Sequence, residues 1–405
     1  MLILGIETSC DETAAAVVRD GRKILSNVVV SQIDIFAEYG GVIPEVAARS
    51  HLEAMMPVVN KALSDASVSW DEIDAIAVTH APGLLGSLLI GTLTARTLAI
   101  LHHKPLYAVH HLKSHVYANW LNAFESKDAS LRNAPSGPSS RADASLRSLS
   151  RPKGRTVASC LARRQTCSSE KRPLDSKQNN QVSMLQKSQV PTFPLLALVV
   201  SGGHTQILYM KGHNQFEIVG TTHDDAVGEC FDKVAKILGL PYPGGPSIAK
   251  AAKSGDPDKY HLPHPKVEEL DFSFSGLKTA VLRAVQKEVG VPISYPSHKL
   301  AELLNEQQVC DFAASFQKTA VDILAEKMEM ALKIYPDVKS VVVAGGVSAN
   351  EKLRKVMPEA FFPAPVLSGD NGAMVAAACY FEIQSGVKPT DPYALNIYPR
   401  IAINK

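Results

Sequence analysis

The sequence predicts an α/β protein of two lobes, built on duplicated mixed sheets with a cleft between the lobes. Two observations carry this. Residues 2–30 run strand, polar turn, strand, hairpin turn, strand, and residues 195–222 repeat that order. In each half the triplet is followed by helix-like sequence, then by a strand that enters glycines and a further helix. Alternating strands and helices imply sheets covered by helices, and the junction of two such units is a usual place for a ligand.

The elements follow in order. LILGIE is a short apolar strand, TSCDET a polar turn and AAAVV a second strand. Asp20-Gly21 supplies a hairpin turn before the third strand, KILSNVVV. IPEVAARSHLEAMMPVVNKAL reads as a helix, and DAIAVTHAPGLLGSLLIGTLTARTLA as a strand, a glycine turn and a helix. In the second half LLALVV, QILYM and FEIVGT are the strands, separated by SGGHT and KGHN. AVGECFDKVAKILGL is the helix that follows, and SVVVAGGVSANEKLRKVM the strand, glycines and helix.

Composition sets bounds. The 405 residues suit two or three domains, and 45% hydrophobic with 20% charged residues is the balance of a globular protein. No run of 18 apolar residues occurs, so no transmembrane helix and no membrane partner are expected. The opening MLILGIETSC lacks a basic segment and is interrupted by Glu7, so it reads as a strand and not a signal peptide. Six scattered cysteines form no framework, which points to a reducing cytoplasm.

The net charge of +2 conceals an asymmetry. Residues 126–192 hold 13 basic and 4 acidic residues, leaving 29 basic and 36 acidic elsewhere. That segment is rich in Ser, Pro, Arg and Gln, repeats DASLR, and has no apolar period. It reads as a disordered insert, either a solvated linker or a basic arm for an acidic partner such as RNA. The expected organisation is a first lobe over 1–123, the basic insert over 124–192, a second lobe over 193–390, and a tail over 391–405 packing on the lobes.

Several short stretches bear chemistry. In HHLKSH (110–115), His111 and His115 lie four apart, on one face of a helix. That spacing suits a metal, although such a pair is more often packing or surface than ligation; His110 points elsewhere. A zinc protease would place its glutamate base where Leu112 stands. Ser201-Gly202-Gly203 lets backbone amides approach an anion, or is a plain hairpin turn. Asp11 and Glu12 are paired carboxylates on the first polar turn, read as solvated acids or, for Glu12, as a general base that assists an attacking amine. Glu45, Arg49 and His51 read as facing RNA or a partner, or as an ordinary helix surface.

The motif order resembles the actin, hexokinase and heat-shock ATPase (ASKHA) fold, in which the hairpin turns of both lobes face a nucleotide's phosphates. More specifically, GIETSCDETAAAVV, GGVIPEVAARSH, HAPGLLGSL, HHLKSH, VVSGGHTQI, DDAVGECFDKVAKILGLPYPGGP, FSFSGLKTAV, AGGVSAN and GDNGAM together resemble the TsaD family of tRNA N6-adenosine threonylcarbamoyltransferases, in its bacterial or mitochondrial branch. The departure is the insert, since the family crosses between lobes with a much shorter segment.

The resemblance implies transfer of a threonylcarbamoyl group from threonylcarbamoyl-adenylate to the adenosine beside the anticodon of tRNAs reading ANN codons, with release of AMP. It implies His111, His115 and Asp370 as ligands of one divalent metal, Fe(2+) favoured and Zn(2+) the alternative. It implies substrate contacts at Val199, Val200, Ser201, Gly202 and Gly203 near the phosphate, Asp232 at the ribose, Gly245 at the sugar or base, and Asn350 at the adenine end. On their own, Asp232 reads as a helix cap and Gly245 as a turn. It also implies tRNA, a TsaB-like paralogue and a TsaE-like ATPase as partners. The alternatives of the same fold are an ATPase, or a non-catalytic scaffold of an RNA-modifying complex.

Overall fold

The computed structural model describes residues 1–122, 190–265 and 267–403, which lie in one compact unit. All but the last three residues of the expected insert (124–192) lie outside the described residues. Strands β1 (Leu2–Glu7), β2 (Glu12–Arg19) and β3 (Lys23–Ser31) form an antiparallel meander. Its tight turn holds Asp20 and Gly21 at φ of 52° and 63°, the positive values that match the twist of a two-residue hairpin. Strands β4 (Ala75–Ala81) and β5 (Leu106–His110) add in parallel, giving the order β3-β2-β1-β4-β5.

The second sheet repeats the plan. Strands β6 (Leu195–Val200), β7 (Thr205–Gly212) and β8 (Gln215–Thr221) are the meander, and β9 (Ser340–Ala344) pairs in parallel with β6. The order is β8-β7-β6-β9. Each sheet is thus an antiparallel meander whose first strand is extended by a parallel neighbour, the duplicated mixed topology expected.

Ten helices surround the sheets among the described residues: α1 (Ile33–Ala37), α2 (Pro44–Ala66), α3 (Leu85–Leu101), α4 (His111–Tyr117), α5 (Val227–Ile237), α6 (Gly244–Ala251), α7 (Ser275–Glu288), α8 (Glu306–Ile334), α9 (Glu351–Val356) and α10 (Gly372–Gln384). Strand alternation sorts the cores. Leu4 and Ile6 of β1 face α2 and α3 through Val59 and Leu98. Ile3 faces the other way, into a core shared with Val116 of α4, Ala376 of α10, and Leu195 and Val199 of β6. Leu196 and Leu198 face away again, toward Phe231, Val281 and Phe316. The result is five layers, with α4 and α10 sandwiched between the two sheets. Both sheets are covered on both faces, which is why their inner strands read as nearly continuous apolar runs.

Two glycines allow α10 to seat on the first sheet. A Cβ at Gly5 would fall 2.2 Å from the Gly372 carbonyl oxygen, and one at Gly372 would fall 2.6 Å from the Ala16 amide nitrogen. Only glycines permit that crossing, and it carries the start of α10 over the sheet beside β1.

One expectation is corrected here. His51 does not face RNA or a partner. It is fully buried, with Nδ1 2.7 Å from Thr13 Oγ1 and Nε2 2.9 Å from the Cys10 carbonyl oxygen. Glu45 and Arg49 are exposed. Among the described residues no helix is long and apolar enough to cross a membrane, and Cys10, Cys230, Cys310 and Cys379 are free thiols.

Candidate metal centre in the inter-lobe cleft

His111 opens α4 and His115 follows one turn later, so both imidazoles leave the helix on the same side. Asp370 lies two residues before α10, in the turn capped by the Asn371 side chain on Met374 N–H. The two helices share the central layer, and their starts converge. Nε2 of His111 and Nε2 of His115 are 3.1 Å apart. Asp370 Oδ1 is 3.1 Å from the second and 3.6 Å from the first. Three donors around a metal at 2.0–2.2 Å, with angles between octahedral and tetrahedral, are roughly 2.8–3.6 Å apart. The triad fits a metal ion in spacing and in donor chemistry, with all three atoms within 4.8 Å of one another.

The surroundings match. Glu7 at the end of β1 is fully buried and its Oε2 lies 3.1 Å from His111 Nδ1, which points His111 Nε2 at the other donors. The same Oε2 accepts from Thr79 Oγ1 at 2.6 Å, and Oε1 accepts from Ser9 N–H. Burial raises the Glu7 carboxyl, but His111 outweighs it and holds it below the usual range. Burial likewise opposes charge on His111, yet Asp370 and Glu7 lift its imidazole well above the ordinary value. Asp370, half-buried beside both histidines, is held low by them. His115 Nδ1 is buried with no hydrogen-bond partner among the described residues. Sequence reasoning missed Glu7 as a functional residue, though an acid closing an apolar strand was its signal.

Of the expected substrate contacts, Gly203 lines the cavity between the lobes; the others are positioned as follows. Val199 and Val200 end β6, and Ser201, Gly202 and Gly203 form the turn to β7. Ser201 N–H donates to the His204 carbonyl oxygen and Ser201 Oγ accepts from His204 N–H, while the Gly202 and Gly203 amides have no partner among the described residues. A Cβ at Gly202, Gly203 or Gly245 would meet nothing within 4 Å, so each opens onto free space. Burial and the charges of His111 and His115 push the His204 imidazole down to about 4, leaving it neutral.

Asp232 accepts from Gly244 N–H through Oδ1 at 2.7 Å, and burial raises its carboxyl. Asn350 caps α9, with Oδ1 accepting from Lys352 and Leu353 N–H and Nδ2 donating to Gln317 Oε1. Glu12 is the first residue of β2, where burial and the neighbouring Asp11 raise its carboxyl well above the ordinary value. FSFSGLKTAV has a structural part: Asp224 accepts from Phe274 and Ser275 N–H and from the hydroxyls of Ser273 and Ser275, holding the start of α7.

A cavity of about 660 Å³ opens between Pro82 and Gly83 of the first lobe, Gly203 and His204 of the second, and the C-terminal stretch Pro399–Ala402. The two mixed sheets and the His–His–carboxylate triad between them define a two-lobed α/β protein with a candidate metal centre.

Comparison with known proteins narrows this. The profile of TsaD, tRNA N6-adenosine threonylcarbamoyltransferase, matches residues 23–130 and 179–377. The enzyme of that name from Symbiobacterium thermophilum is 43% identical over 396 residues, covering 96% of this chain and 93% of that protein. That from Thermomicrobium roseum is 41% identical over 401 residues, with the same coverage of each. Among solved structures, full-length HypF in its phosphate- and nucleotide-bound form is 12% identical with a TM-score of 0.45, covering 95% of this chain and 46% of that one. The chain belongs to the TsaD family. It is an acyltransferase of tRNA modification.

Proposed function

We propose that the chain transfers the threonylcarbamoyl group of threonylcarbamoyl-adenylate to the exocyclic amine of the adenosine beside the anticodon, in tRNAs that read ANN codons. AMP leaves. The observation that carries this reading is the triad, three donor atoms 3.1–3.6 Å apart at the cleft. His111, His115 and Asp370 would hold one divalent metal, Fe(2+) by preference and Zn(2+) as the alternative. Bound there, it would supply Lewis-acid polarisation of the acyl carbonyl, with open positions for substrate.

The other roles belong to the chain itself. Glu7 holds His111 in the tautomer whose Nε2 is free to ligate. The unpartnered amides of Gly202 and Gly203, in the turn that follows Val199, Val200 and Ser201, receive the phosphate. Asp232 keeps Oδ2 for ribose hydroxyls while Oδ1 holds Gly244. Gly245 leaves room for the sugar, and Asn350, its carbonyl spent on α9, turns its remaining N–H to the adenine. Glu12, whose raised pKa makes it the stronger base, takes the proton lost by the attacking amine, with Asp11 tuning it.

A TsaB-like paralogue and a TsaE-like ATPase complete the reading. Leu52 and Met56 of α2 and Leu85, Leu89 and Leu93 of α3 are exposed apolar side chains at four-residue spacing, which suits a docked paralogue. Leu89→Glu should abolish co-purification with a bacterial paralogue; retained binding would place the paralogue elsewhere. For the reaction itself, the chain is given threonylcarbamoyl-adenylate, unmodified tRNA and bacterial-type partners, and the tRNA is digested for mass spectrometry. Threonylcarbamoyladenosine is expected. Its absence with folded protein and intact partners rejects the proposal.

A further inference from the structure

We propose that Arg400, on the C-terminal stretch, binds the free carboxylate of the threonyl part of the acyl donor and so sets its orientation and the enzyme's preference for an acidic acyl group. This rests on the reaction proposed above.

The first support is placement. The stretch around Arg400 has no regular secondary structure, yet its backbone is pinned to the first lobe from both sides. Tyr398 N–H donates to the His80 carbonyl oxygen at 3.0 Å, and Gly83 N–H donates to the Pro399 carbonyl oxygen at 3.3 Å. His80 Nδ1 lies 3.2 Å from the Asn396 carbonyl oxygen. His110 Nε2 lies 3.3 Å from that of Ile401, and His110 is the chain neighbour of His111. These contacts flank Arg400 closely and tie its position to the start of the histidine helix.

The second is charge. The cavity wall consists of Pro82, Gly83, Gly203, His204, Pro399, Arg400, Ile401 and Ala402, and Arg400 is its one permanently charged side chain. His204 across the cavity is held neutral. Among the described residues the Arg400 guanidinium has no hydrogen-bond or ion-pair partner. Beyond the triad's own histidines, carboxylates dominate the charge nearby: Asp370 and Glu7 lie against His111, Glu12 lies within electrostatic reach of Asp370, and Asp232 within reach of Asp11. A donor that carries both a phosphate and a carboxylate would be repelled by such a set, and the triad's metal offsets only part of it. An unspent guanidinium fork is the group that matches a carboxylate in shape and sign.

The test uses the full chain with its partners. Initial rates are measured for wild type, Arg400→Ala and Arg400→Lys, varying threonylcarbamoyl-adenylate and tRNA separately. The donor is also replaced by its carboxamide analogue, in which the threonyl carboxylate is neutral. Loss of a charge-assisted bidentate contact should raise the donor KM about 10- to 100-fold in Arg400→Ala, with the tRNA KM unchanged. Arg400→Lys should recover part of the loss. Wild type should discriminate against the carboxamide, and Arg400→Ala should treat both donors alike, a result that general unfolding cannot imitate. A rise confined to the tRNA KM would assign Arg400 to an RNA phosphate and overturn the proposal. So would discrimination between the donors that survives in Arg400→Ala. Failure of wild type to modify tRNA at all would instead reject the underlying reaction.

Discussion

Nε2 of His111 and Nε2 of His115 face each other at 3.1 Å, with Asp370 Oδ1 closing the triangle. The two nitrogens can share a proton as an N–H···N hydrogen bond, but the spacing of all three atoms also suits a divalent cation, which would take both lone pairs and the carboxylate at once.

Glu7 makes that triangle rigid, so it can be tested without touching a ligand. Glu7→Gln keeps the shape of the side chain and removes the charge beside His111 Nδ1. Affinity for Fe(2+) or Zn(2+), measured by competition with a chromogenic chelator, should fall about 10- to 100-fold. Unchanged affinity would show that Glu7 does not orient His111.

His213 reports on acid stability. Its ring stacks on Phe381 at 4.2 Å and meets the edge of Phe193 at 4.6 Å. Burial pushes its pKa from 6.5 down to about 4. The folded state therefore binds fewer protons than the unfolded state between those values. The stability it contributes is present above pH 6.5 and lost as pH falls toward 4. His213→Phe keeps the stack without the proton. Its urea midpoint should decline less than that of wild type between pH 6.5 and 4; parallel declines would contradict the assignment.

Asp224 is a cap supplied from 50 residues away. Its carboxylate takes Phe274 N–H at 2.8 Å and the Ser275 hydroxyl at 2.6 Å. Asp224→Ala should lower stability by about 1–2 kcal/mol, the cost of losing a strong helix cap. Urea denaturation followed by circular dichroism measures it. No shift would mean that the loop holds itself.

Much of this was legible in the sequence because the repeating units are local. Strand periodicity and the Asp20-Gly21 turn are short-range signals, and both meanders appear where the pattern put them. The triad was legible only in pieces. The histidine spacing is a helical property, but nothing in the chain says that residue 370 returns to it; Gly5 and Gly372 make the crossing that brings it there. His51 was misread although its position was informative. It lies four residues from Ala47 and from Met55 on the buried face of α2, and that spacing outweighs its polarity. Arg400 carried no signal, because an unpatterned tail becomes a cavity wall only through contacts with His80, Gly83 and His110.

The central claim is that the triad holds the metal on which transfer depends. Wild type and His115→Ala are purified alike, their iron and zinc contents are determined, and each is assayed for threonylcarbamoyladenosine on tRNA with the same partners. The account predicts about one metal ion per chain and product for wild type, with both lost in a folded His115→Ala. Equal metal and equal product from the two proteins would contradict it.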